Sequence, residues 1–195
     1  MLLNVVVSHA NKYLYYSIPK TATTSIKIYL ESYSLVDIGL HSKQDGYTVA
    51  YDESWNSYFK FTFVRNPWDR ILSCFLDKTK QSIGKSWEME TYKPYADCSF
   101  EEFIDYLTQD NILYDAHTTP QHLLINLSQI DFIGKFEYLD KDFNTVQNRL
   151  RLPLIKLSRE NITHHDHYRY YYNKQTKNKI YQLYKDDIEK FQYEF

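Results

Sequence analysis

Two short segments of this sequence carry the residue types that bind and move charged groups. Pro19-Lys20-Thr21-Ala22-Thr23-Thr24-Ser25 sets one cation and several hydroxyls ahead of a helical pattern. A run of backbone N–H groups at a helix start, with an ammonium beside it, is an anion cradle. It is not a G-x-x-x-x-G-K-[ST] loop, which requires two glycines where this segment has none. The second segment, Phe63-Val64-Arg65-Asn66-Pro67-Trp68-Asp69-Arg70-Ile71-Leu72-Ser73, places Arg65 to offer a planar fork to a phosphate and Ser73 to donate from its hydroxyl. On general chemistry alone the first segment also reads as a polar loop with a good N-cap, and the arginines as surface ion-pair partners.

A third group, His164-His165-Asp166-His167, has the H-x-H spacing that can hold an ion. No cysteine accompanies it and it lies in a polar stretch, so a loop near the bound ligand is the better reading and no metal is expected.

The elements that must position these residues are legible on either side of each loop. Tyr13-Leu14-Tyr15-Tyr16-Ser17-Ile18 predicts a buried strand closed by Pro19. Ser25 can begin the helix that follows, with Ile26, Tyr29, Leu30 and Tyr33 on one face. The arrangement recurs when Tyr58–Val64 runs into Asn66 as N-cap and Pro67 at the first helical position, ahead of the stripe Trp68, Ile71, Leu72, Phe75, Leu76. Between the two units, Val36–Trp55 reads as a long loop with at most short structure. Ser99 and Glu102 form a capping box before Phe103, Ile104 and Leu107. A strand over Asp131–Lys135 and helices over about Asp140–Arg151 and Lys174–Lys190 complete the pattern. Strands alternating with helices predict an α/β fold, a single domain over residues 1–195 with a central, mainly parallel sheet flanked by helices. Its ligands would bind beyond the carboxyl ends of the strands.

Composition narrows the classes. The 195 residues suit one core, and twenty Tyr and eleven Phe against four Gly make disorder implausible. With 23 Lys and Arg against 25 Asp and Glu, no chain-wide field attracts nucleic acid, so an anionic ligand must be held locally. Two cysteines without a C-x-x-C pair suggest reduced thiols, and the apolar start Met1–Val7 is too short for a signal core or a membrane span. A soluble, cytoplasmic chain is the expectation.

The two loops together resemble the donor motifs of sulfotransferases that use 3′-phosphoadenosine 5′-phosphosulfate (PAPS), in the carbohydrate branch called family 2. Residues Pro19–Ser25 are similar to its P-K-T-[AG]-[GST]-T-S loop and Phe63–Ser73 to its F-V-R-[ND]-P-x-x-R-x-x-S motif. Pro120-Gln121, Asp131–Leu139 and Tyr184–Phe195 are similar to further stretches of that family, so the resemblance covers nearly the whole chain. It implies a fold related to nucleotide kinases, PAPS as cosubstrate and no obligatory metal. Pro19, Lys20, Thr21, Ala22, Thr23, Thr24 and Ser25 would hold the 5′-phosphosulfate, and Arg65 and Ser73 the 3′-phosphate.

Sulfuryl transfer further needs a group on the leaving oxygen and a base for the acceptor hydroxyl. Lys20 suits the first role. His41 is the first candidate base, lying in Gly39-Leu40-His41-Ser42-Lys43, where related saccharide sulfotransferases place a catalytic histidine. His117 and His122, flanking Thr118-Thr119-Pro120-Gln121, are alternatives that can instead orient the acceptor, and Glu53 or Asp115 can also serve as base. The acceptor is expected to be a hydroxyl compound, a saccharide or small metabolite. Other readings are a kinase-like phosphotransferase and an inactive protein that binds PAP (3′-phosphoadenosine 5′-phosphate).

Overall fold

The computed structural model describes residues 2–37, 48–81, 92, 95–109, 115–160 and 165–195. It divides into two compact units interleaved along the chain, Met1–Arg65 with Gln121–Asn161, and Asn66–Pro120 with Ile162–Phe195.

The first unit is built on a five-stranded sheet. Its strands are β1 (Leu2–Ser8), β2 (Tyr13–Tyr16), β3 (Thr48–Ala50), β4 (Phe59–Val64) and β5 (Phe132–Lys135), in the order β3-β1-β2-β4-β5. β2, β4 and β5 pair in parallel, while β1 is antiparallel to both neighbours, so four strands share one direction. The register Tyr16↔Thr62 and Val64↔Lys135 brings the carboxyl ends of β2, β4 and β5 to one edge. The loops after β2 and β4, which open the two segments singled out in the sequence, leave the sheet there.

Tyr13, Tyr15, Phe61 and Phe63 alternate along β2 and β4 and pack on Ile26, Tyr29 and Leu30 of α1 (Thr23–Tyr33) and on Phe143, Val146 and Leu150 of α4 (Leu139–Leu150). Ring contacts dominate, with Tyr15 stacked on Phe61 at 5.1 Å between centroids and Tyr29 edge-on to Phe143 at 4.9 Å. The intervening Leu14, Tyr16, Thr62 and Val64 are equally buried, as central strands of a largely parallel sheet require. Gly134 on β5 makes room for this packing, since a Cβ there would sit 2.3 Å from the Phe63 ring.

The second unit is helical among its described residues. Trp68, Ile71, Leu72 and Phe75 of α2 (Pro67–Phe75), Phe103, Ile104 and Leu107 of α3 (Phe100–Gln109) and Ile180 of α5 (Lys174–Leu183) share a core with Tyr92, Tyr184 and Ile188. Asn66 caps α2 by accepting from Trp68 N at 3.1 Å, with Pro67 in the first turn. The Ser99–Glu102 capping box is present in both directions.

The apolar start is a strand, β1, that pairs with β2 through a turn whose Lys12 has φ of 50°. The stretch read as a long loop with at most short structure holds the three-residue β3. Two expectations needed correction. Ser25 does not begin α1, which starts at Thr23 behind Ala22. The last helix is two, because Tyr184, with φ −115° and ψ 23°, leaves helical geometry between α5 and α6 (Lys185–Lys190). No described helix is long and apolar enough to cross a membrane.

Gly134→Ala should lower stability by about 1–3 kcal/mol through overpacking against Phe63. Urea unfolding checks this, and an unchanged midpoint would contradict the close approach.

Candidate active site

The loop from β2 to α1 has an unusual backbone. Lys20 and Ala22 are both left-handed, with φ of 71° and 64°, where side-chain-bearing residues are uncommon. Ala22 is the N-cap of α1 and has no side-chain oxygen to place on the first-turn amides, the job that Ser, Thr, Asp or Asn would do. A loop that spends conformational energy on left-handed residues and omits its own cap leaves the helix start suited to an outside anion. Thr21 and Thr23 do not face outward as spare donors. Their hydroxyls both donate to Ile18 O, at 2.8 and 2.6 Å, and pin the loop to the end of its strand. Tyr15 lies fully buried beside these threonines, and burial pushes its phenol well above the ordinary tyrosine range. Ser25 accepts from Glu160 N at 3.2 Å, which brings the stretch carrying Ser158 and Arg159 against the start of α1.

Arg65, just past the end of β4, joins this loop. Its Nη1 donates to Lys20 O at 3.1 Å, so the guanidinium holds the left-handed residue in place. Its plane lies 4.1 Å from the Phe136 ring centroid. Its backbone is clasped at both ends by one side chain, with Arg65 N donating to Gln121 Oε1 and Gln121 Nε2 donating to Arg65 O, each at 2.9 Å. Arg65 is 7% exposed and Gln121 fully buried. Sequence reasoning identified Arg65 but gave no role to Gln121 or Phe136. Their signal was only their place in the stretches Pro120-Gln121 and Asp131–Leu139.

In the second unit Asp115 and His117 form a pair. Asp115 Oδ1 lies 2.7 Å from His117 Nδ1 and accepts the His117 main-chain N–H at 2.6 Å. Burial alone would raise the Asp115 pKa, but the His117 hydrogen bond and charge, with a contact from Tyr92, bring it below the usual carboxylate value. In the tautomer that donates from Nδ1, this pairing presents Nε2 as a proton acceptor. Ser73 is buried on α2. His122 lies half-buried in a short turn beside Gln121, and Glu53 is exposed in the Glu53–Ser57 turn. His41 lies outside the described residues, as does His164. Of the latter's neighbours, His165 comes within 4.0 Å of Asp69, and His167 caps a turn by accepting from Arg169 N. Among the described residues no group of three or more His, Cys, Asp or Glu is placed to hold a metal ion.

The profile of a sulfotransferase family matches residues 3–194. Carbohydrate sulfotransferase 14 of Mus musculus is 26% identical over 180 residues, covering 78% of this chain and 48% of that protein. Carbohydrate sulfotransferase 9 of Homo sapiens is 28% identical over 183 residues, covering 76% and 41%. An uncharacterized protein of Archaeoglobus fulgidus is 32% identical over 118 residues, 59% of this chain and 86% of its own length. The chain spans about half the length of the type 14 sulfotransferases it matches. No solved structure matches significantly.

Because the folded pKa of Asp115 is depressed, its ionised form stabilises the fold above the unfolded value of about 4, and this contribution is lost as pH falls through the folded pKa. Asp115→Asn should therefore be less stable than the parent at pH 7, with the gap closing as pH drops below about 4. A gap of constant size from pH 7 to pH 3 in urea unfolding would show that the pairing does not depend on charge.

Proposed function

Because the chain belongs to the sulfotransferase family, we propose that it moves the sulfuryl group of PAPS onto a hydroxyl of a saccharide, as one sulfotransferase domain. The observation that carries this reading is the Arg65–Lys20 hydrogen bond, which ties the strand-end arginine to an uncapped, left-handed helix start. Two phosphates at fixed separation suit such a pair of linked loops. A saccharide acceptor is favoured because two of the similar proteins named above are carbohydrate sulfotransferases.

The donor fits the residues present. The main-chain N–H groups from Lys20 to Ser25 would take the 5′-phosphosulfate, and the Arg65 fork and the Ser73 hydroxyl the 3′-phosphate. Phe136 fixes the plane of that fork. In the transfer the acceptor oxygen bonds to sulfur while the bond from sulfur to the 5′-phosphate oxygen breaks. The electron pair leaves with PAP. Lys20, a mobile ammonium at the loop, stabilises the charge that develops on the leaving oxygen. The acceptor's proton goes to His117 Nε2, with Asp115 holding the ring and stabilising the imidazolium. His41, the first candidate from the sequence, lies outside the described residues and stays open as the base.

Transfer of labelled sulfate from PAPS to a panel of unsulfated oligosaccharides tests the activity. Lys20→Ala and Arg65→Ala should each lower it at least a hundredfold, and His117→Ala at least tenfold at unchanged PAP affinity. Arg65→Ala should bind PAP at least tenfold more weakly and lose most of the parent's preference for PAP over AMP, which lacks the 3′-phosphate. Gln121→Ala should reduce the same preference in part. Equal PAP and AMP binding by the parent protein would overturn the donor assignment.

A further inference from the structure

The second arginine of the Phe63–Ser73 motif is not a surface ion-pair partner. Arg70 is 1% exposed, the bulkiest of the fully buried side chains among the described residues. A guanidinium taken wholly out of water needs acceptors arranged around it. Two of those acceptors are main-chain carbonyls on either side of His117, with Nη2 donating to Ala116 O at 2.8 Å and Nη1 to Thr119 O at 2.9 Å. Tyr184, also fully buried, donates its hydroxyl to Thr118 O at 2.6 Å. The Asp115 carbonyl takes the main-chain N–H of Thr118 at 3.0 Å and of Thr119 at 2.8 Å, and the Thr119 hydroxyl at 2.8 Å. Carbonyls 115, 116, 118 and 119 thus all have assigned donors, and the residue they enclose is His117. The countercharge is local as well, since buried Asp187 acts on the same guanidinium.

We propose that Arg70 is a positioning residue for His117. With Tyr184 it fixes the peptide planes of residues 115–119, so that the Asp115 carboxylate meets His117 Nδ1 and the ring presents Nε2 in one orientation. This rests on the reading of His117 as the base. It separates two arginines of one motif, Arg65 for the donor phosphate and Arg70 for the histidine. It also gives the helix break at Tyr184 a purpose, because the residue that leaves helical geometry is the one whose hydroxyl reaches the turn. Arg70→Lys keeps the charge but loses the fork that spans two carbonyls. Tyr184→Phe removes only a hydroxyl.

The test combines NMR of the His117 Nδ1–H proton, PAP binding and turnover on the oligosaccharide panel. The parent protein should show a downfield, 15N-coupled Nδ1–H resonance that disappears in Asp115→Asn. Arg70→Lys and Tyr184→Phe should broaden or lose it while binding PAP within twofold of the parent. Each should lower kcat at least tenfold, and neither should lower it further in a His117→Ala background, because residues acting through one group are not additive. If Arg70→Lys does not fold, Tyr184→Phe decides. An unchanged resonance in the folded variants, or a loss that falls on PAP affinity and leaves kcat intact, overturns the proposal. Full turnover by His117→Ala instead overturns the choice of base, whatever Arg70 and Tyr184 do.

Discussion

The hydrogen bond from Arg65 to the carbonyl of Lys20 is the contact on which the candidate anion-binding edge of the sheet depends. It joins the loop after β2 to the residue after β4, two places far apart in sequence that the parallel register brings to one sheet edge. Neither loop is stable in its conformation for free. Lys20 and Ala22 hold left-handed backbone without glycine's freedom, and Arg65 carries a charge into a largely buried position. Each offsets the other's cost, because the guanidinium gains an acceptor and the turn gains a clamp. Phe136 and the two-ended clasp of Gln121 keep the arginine from swinging away. An anion arriving at this edge meets donors that are already oriented, which is the condition for electrostatic stabilisation without reorganisation.

The second unit solves a different problem with similar means. Its core of aromatic and aliphatic residues surrounds a buried arginine whose donors end on the backbone of residues 116 and 119. Buried polar groups with every partner in place rigidify their surroundings, whereas partly satisfied ones cost stability. The turn that carries the Asp115–His117 pair is bonded through its carbonyls to Arg70 and Tyr184, and the carboxylate bonds the ring. One continuous sequence motif therefore serves both units, Arg65 at the strand end and Arg70 within α2.

Much of the scaffold is legible in the sequence because its signals are local. The aromatic runs of β2 and β4, Asn66 ahead of Pro67, and the Ser99–Glu102 box each fix an element through neighbours a few residues away. β1 was not legible, since Leu2–Ser8 is a strand only by virtue of its pairing with β2 and β3. Of the candidate residues, Lys20, Arg65 and His117 are visible as residue types in loops, but what holds each of them is not. Alanine is a poor N-cap and rarely left-handed, so Ala22 carries no signal of its role. Arginine is mostly a surface residue, and nothing in the sequence shows that Arg70 and Arg65 are both buried and bond different backbone segments. Gln121 acts across 56 positions, a separation at which no periodicity speaks. The Tyr184 break is hidden within a helical stripe, and its hydroxyl bonds residue 118, a partner 66 positions away.

A crystal structure of the protein with PAP would show whether Arg65 and the Lys20–Ser25 loop hold the donor together. The 5′-phosphate should lie on the main-chain N–H groups between Lys20 and Ser25, and the 3′-phosphate on the guanidinium of Arg65, with the Arg65–Lys20 hydrogen bond retained. A complex in which Arg65 touches neither phosphate, or in which the loop abandons its left-handed residues to bind, would contradict that arrangement.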